Sequence, residues 1–261
     1  MNQSMDEKKT VNSETPEEAA MQLDIAALYK SFDAKCSEIV AKTLEDVDRQ
    51  ALQGTSHTFV DELAIWIDLL GNNRSALLLK SAAIEYQFCL LAVVQGQHRN
   101  AFKGLRLTLE LILQSILLSA NEMELREWQL GNRDTSWARI LGKEDGIFSQ
   151  RFCAAFSPLL TEEIEHFRSL AKKTYRDLSQ FVHGNETPNS PLPNLLEFNN
   201  DYFQKFHRNA DLVGYVCSFA LMLRYTEELK DESFVKIDSH LSARIGNLEC
   251  TRDLLEMIRG A

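Results

Sequence analysis

Glycine and proline are scarce, at 11 and 5 residues in a chain of 261. Together they reach about half of the usual combined share of roughly 12%. A β-sandwich or barrel of this length needs many turns and spends more of both residues on them. Closely spaced cysteines are missing too. Cys36, Cys89, Cys153, Cys217 and Cys250 are odd in number and widely spread, with no C-x2-C spacing to hold a metal. No secretory signal precedes them, so they read as reduced thiols in the core of a cytoplasmic protein. There is no G-x-G-x2-G, P-loop, H-E-x2-H, G-x-S-x-G or EF-hand loop. Glu163-x2-His166 is half of a di-iron motif without its second copy. No metal or cofactor is expected.

What is present favours helix. Leu, Ala, Glu, Gln and Lys dominate, and all are good helix formers. Hydrophobic residues make up 44% and charged residues 25%, the balance of a globular chain. The helix read as most apolar, Leu105 to Ala120, carries Arg106, Glu110 and Gln114, so it is expected in a core and no membrane span is expected. The fold class expected is an all-α helical bundle with an N-terminal helical extension. Residues 1–14 are polar and aperiodic and read as a disordered tail. Residues 15–54 read as the extension, begun by Thr15-Pro16-Glu17-Glu18 and stopped by Gly54, and residues 55–261 as the bundle. Ser75 to Gln95 is apolar on nearly every side, which predicts a central helix whose Glu85 needs a partner. Trp66, Trp128 and Trp137 read as core anchors.

The best-formed helix runs from Thr161 to His183, with Gly184 as its terminating residue and Asn185 to Asn194 as a loop. It ends in Tyr175-Arg176-Asp177-Leu178-Ser179-Gln180-Phe181-Val182-His183-Gly184. Arg176 and His183 are seven positions apart, which returns them to nearly one face two turns along. That face lies about 120–140° from the centre of the apolar stripe, with Lys172 and Ser179 on the same flank. It is the edge over which a second surface can close. Other uses of the same residues stay open: His183 as a cation at a helix C-terminus, and Arg176 in a surface pair with Asp177 or Glu186. Arg106 and Glu110 form either an intrahelical ion pair in the weaker orientation or, with Arg99 and Lys103, part of a positive field near a cleft. Glu85 is an alternative partner for Arg106.

This segment resembles the HEPN superfamily, whose members carry Arg, a polar residue and, after a gap of four to six, His; Arg176, Asp177 and His183 follow that order. It is closer to the bacterial HEPN-like helical proteins with a Tyr-x2-Leu-Ser-x3-His-Gly signature, matched by Tyr175, Leu178, Ser179, His183 and Gly184. An upstream Leu-Arg-x3-Glu element followed by a Trp is matched by Leu105, Arg106, Glu110 and Trp128. The resemblance covers roughly residues 56 to 230. It implies a homodimer with two Arg/His pairs facing one cleft, and metal-independent cleavage of RNA in a toxin–antitoxin or phage-defence setting. Arg176 and His183 would be catalytic. Tyr175, Ser179, Arg106 and Lys172 would position substrate, with Asp177 and Glu110 supporting them. The partners implied are a single-stranded or loop RNA, a second copy, and an antitoxin or sensor protein. A non-catalytic module binding a protein or small ligand is the alternative.

The net charge of −10 argues against wrapping a long duplex. Locally the balance differs. Residues 1–20 contribute −3, and residues 96–110 carry +2 from Arg99, Lys103 and Arg106 against Glu110. A small basic cleft for one RNA loop is compatible with that distribution.

Overall fold

The computed structural model describes residues 24–71, 73–183, 196–229 and 232–260, with the side chains of 182, 183, 232 and 233 outside the description. Among these residues there are eleven α-helices and no strand, so the chain is an all-α bundle. In chain order they are α1 Ile25–Thr43, α2 Val47–Leu70, α3 Ala76–Val94, α4 His98–Ser119, α5 Glu122–Gln129, α6 Trp137–Ile140 and α7 Gln150–Phe156. A 3-10 turn, Pro158–Glu163, leads into α8 Ile164–His183. Then come α9 Asn200–Tyr225, α10 Glu232–Ile245 and α11 Glu249–Arg259.

Side-chain caps set most starts. Asp24, Asp46, Asn121, Ser136, Ser149 and Asn199 each accept a hydrogen bond from the backbone N–H three residues on. Thr161 is no cap: its hydroxyl donates to the Pro158 carbonyl within the 3-10 turn, and the α-helix starts three residues later than expected. Gly54 does not stop the N-terminal helix. It lies inside α2 with nothing within 4 Å of a Cβ placed there, and the break falls at residues 44–46, where Asp46 begins a new helix. Helix α10 is a further element beyond those expected from the sequence; its Phe234, Ile237, Leu241 and Ile245 repeat at helical spacing and are all buried. The 1–14 tail, Gly184 and the 185–194 loop lie outside the described residues.

The centre of the bundle is α9, not α3. From Val213 to Leu223 nearly every α9 residue is buried, against α4 and α8 on one side and α2 and α10 on the other. By contrast α3, a close antiparallel partner of α4, leaves Leu77, Ile84, Phe88 and Leu91 exposed. An all-round apolar sequence reports hydrophobicity but not which faces find neighbours. Among the described residues α3 is also the one helix long and apolar enough to cross a membrane, with 56% of its apolar window buried inside the fold, as in a core helix. Two glycines fix the α3–α4 hairpin. Gly96 has φ 74°, and a Cβ there would stand 2.5 Å from the Glu197 carbonyl oxygen. A Cβ on Gly104 would meet Cβ of Cys89 at 2.8 Å, so this glycine lets the two helices approach.

Candidate functional site

The two sequence elements that carried the resemblance meet in space, where α8 packs on α4. Arg106 sits half-buried on α4 because it borders the apolar stripe of Ala101, Phe102, Leu105 and Leu109, all fully buried. From there its guanidinium reaches across to α8. Nη2 donates to the Tyr175 hydroxyl, Nε donates to Ser179 Oγ at 3.1 Å, and the guanidinium carbon lies 4.4 Å from the Tyr175 ring centroid. Ser179 Oγ donates in turn to the Tyr175 carbonyl at 2.7 Å. Glu110, one turn along α4, is 3.5 Å from Arg106 Nη2, which makes it the ion-pair partner; Glu85 lies on α3 and, with Lys103, lines a separate cavity.

This cluster spends its own polar groups. Arg106 donates to Tyr175 and Ser179 and pairs with Glu110, so these residues hold α8 against α4 and are positioning residues. The tryptophan that completes the cluster is Trp137, not Trp128. Trp137 stacks on Tyr175 with centroids 3.9 Å apart and planes at 12°. Trp128 packs on a separate patch of Leu78, Leu118 and Leu125, because α5 leads away from the α4–α8 contact before α6 returns to it. Trp66 is a fully buried core anchor.

One turn farther along α8, Phe181 stacks on Phe102 at 3.9 Å, and Arg99 Nε donates to the Phe181 carbonyl at 3.3 Å. These contacts fix the last turns of the helix. His183 is its final helical residue, and its side chain lies outside the described residues, as do Gly184 and Glu186.

The outward face next to the cluster is different. The Arg176 side chain is 75% exposed, and its only ion pair among the described residues is a 4.0 Å approach to Asp177. Lys172, Arg99 and Lys103 are exposed as well. The local surface therefore offers several cations, and Arg176, held by no more than that long contact among the described residues, can meet an anion. His166 is exposed against the edge of Phe167 and belongs to no metal cluster among the described residues.

Across α9 lies a polar network that sequence reading missed. Glu62 is fully buried, accepts from Arg244 Nε at 2.9 Å and from the Ser218 hydroxyl, and draws its partners from α10 and α9. Its signal was available: Phe59, Glu62, Leu63 and Trp66 share one helical face, which puts a carboxylate on the core side of α2. Comparison with protein-family models, with curated proteins and with solved structures finds no match to this chain.

Proposed function

We propose that this chain is a metal-independent, HEPN-like endoribonuclease effector of a cytoplasmic toxin–antitoxin or phage-defence system. The observation that supports the reading is the exposed, loosely paired Arg176 on a helix that Arg106, Tyr175 and Ser179 hold fast against α4. In the chemistry proposed, neutral His183 takes the proton of a ribose 2′-hydroxyl. That oxygen attacks the adjacent phosphorus, Arg176 stabilises the charge that builds on the phosphate oxygens, and the bond to the 5′-oxygen breaks. Lys172, Arg99 and Lys103 attract the RNA. Tyr175, Ser179 and Arg106 position the substrate by fixing the helix that carries Arg176.

The active form in this reading is a homodimer seated on α3. Leu77, Ile84 and Leu91 are exposed and seven residues apart, so an antiparallel twofold pairing about Ile84 sets each Leu77 against Leu91 of the other copy. Phe88 and Leu107 of α4 widen the same apolar face. The mutual satisfaction of Arg106, Tyr175 and Ser179 also suits a second reading, a non-catalytic module that docks a partner protein.

Purified wild type, Arg176→Ala and His183→Ala, incubated with single-stranded RNA with and without chelator, separate the two. The enzyme reading expects cleavage by wild type that chelator leaves intact and each substitution lowers about 100-fold or more. Equal cleavage in all three proteins overturns it, and loss of wild-type cleavage on chelation overturns the mechanism.

A further inference from the structure

The chain enters α9 through a short strap, residues 197–199, on which α1, α2, α4 and α9 converge. Asn199 caps α9 by accepting from the Tyr202 N–H at 3.1 Å, and its carbonyl accepts from the Phe203 N–H. The Phe198 ring lies under two cations, Lys42 Nζ of α1 at 5.1 Å and the Arg49 guanidinium of α2 at 4.9 Å. The Glu197 carbonyl closes against the start of α4, where Gly96 leaves it room. There it meets His98, whose Nε2 lies 3.2 Å away.

That contact fixes the state of the ring. A carbonyl oxygen only accepts, so Nε2 carries the proton and the neutral ring has a bare Nδ1. Nδ1 is buried and has no hydrogen-bond partner among the described residues. His98 as a whole is 4% exposed, and its ring packs on Tyr202 with centroids 5.4 Å apart. A second proton would go on Nδ1, where it meets neither water nor an acceptor. The neighbouring charges do not relieve this. The Glu197 carboxylate favours a charged ring, but burial outweighs it and holds the His98 pKa below its ordinary 6.5. Arg99 of α4, Lys42 of α1 and Arg49 of α2 are cations, and on α9 Asp201 is exposed and Tyr202 is a neutral phenol near pH 7.

We infer that His98 is an acid-sensitive latch on this strap: the neutral ring holds Glu197 and keeps the entry of α9 closed, and proton uptake in mildly acidic solution turns the ring out and frees residues 197–199. A charged ring satisfies both of its N–H groups in water, which it reaches by leaving the Glu197 carbonyl and the Tyr202 ring. Above pH 6.5 the open strap gains nothing from the proton and the latch stays shut. As the pH falls below that, the open form takes up a proton that the closed form refuses, so its population rises by up to about tenfold per pH unit. The latch is independent of the RNA-cleavage reading and stands or falls without it.

The test is hydrogen exchange of the full chain at about pH 7 and about pH 5.5, corrected for the intrinsic pH dependence of exchange. The Tyr202 and Phe203 amides, which depend on Asn199, should open several-fold more often at the lower pH, up to about tenfold. In His98→Gln, whose side-chain N–H can keep donating to the Glu197 carbonyl without titrating, the rise should disappear. Burial also lowers the pKa of His207 on α9, to about 4, so His207→Asn is the control and should keep the rise. Far-UV circular dichroism checks both variants. Should His98→Gln not fold, the wild-type His98 ring followed by 13C NMR decides: a neutral ring wherever the two amides stay protected supports the latch. A charged ring with both amides still protected overturns it. So does a rise that persists in His98→Gln, one that vanishes in His207→Asn, or no rise in wild type.

Discussion

On one side of α9, Arg106 is half-buried and shares its charge among a phenol, a hydroxyl and a carboxylate that itself keeps 23% of its side chain in solvent. On the other side, Arg244 and Glu62 form a pair whose carboxylate has no solvent contact at all. Both arginines also lie over aromatic rings, Tyr175 in one case and Phe59 in the other. The difference is water. Where solvent reaches the cluster, its members are exchangeable supports for a helix that carries an exposed arginine beside them. Where solvent is excluded, removing one partner strands a charge, and the pair fixes how α2, α9 and α10 meet.

The largest effect expected follows from that exclusion. Glu62→Gln removes the buried carboxylate and leaves Arg244 with a neutral amide at Nε and the longer contact to Asp211, and should cost about 3 kcal/mol in chemical denaturation. The same change at Glu110, open to solvent on α4, should cost less than about 1 kcal/mol. Equal costs would erase the contrast. Next in size is a pH effect. The depressed His207 pKa means that between about pH 6.5 and 4 the unfolded chain takes up a proton that the folded chain refuses. Stability is therefore unaffected above pH 6.5 and falls as the pH drops toward 4, by roughly 3 kcal/mol. His207→Asn, whose amide can keep the hydrogen bond to Ser56 without titrating, should flatten most of this slope in urea titrations run from pH 7 to pH 4. His98, whose pKa burial also lowers, adds to the slope in the same direction.

The solvated side was readable from sequence, the dry side was not. Arg106 and Glu110 lie one turn apart, and Tyr175, Arg176 and Ser179 lie within two turns of one helix, so helical periodicity alone gathers each set. Contact between the two sets required packing of α8 on α4, which the resemblance suggested through its paired elements. The network around Glu62 joins residues 62, 218 and 244 from three helices, and one of those, α10, was not recognised. No local spacing connects such residues. The substitution of Trp137 for Trp128 has the same origin: the chain between α5 and α6 turns at Gly131, with φ 72°, and only the turn decides which indole comes back to Tyr175.

A smaller effect tests how much the solvated cluster matters to the fold. Tyr175→Phe removes the hydroxyl that Arg106 Nη2 donates to, while ring stacking on Trp137 and the guanidinium contact persist. The expected loss is about 1 kcal/mol in denaturant midpoint, well below that of Glu62→Gln. If Tyr175→Phe were the more damaging of the two, the cluster would be part of the core, not a support at its edge.

The smallest expected effect is the most informative about function. Among the described residues Arg176 makes only a long contact with Asp177, and it keeps three quarters of its side chain in water, so folding gains almost nothing from it. Arg176→Ala should leave the denaturation midpoint within about 0.5 kcal/mol of wild type. Under the proposed chemistry the same substitution should abolish RNA cleavage, because the guanidinium is needed only when charge builds on the phosphate. A large loss of stability would instead assign Arg176 to the fold and leave α8 without a free cation at the place where the mechanism needs one. Stability and cleavage measured on the same preparation separate these outcomes, since the first reads the side chain's part in folding and the second its part in a reaction.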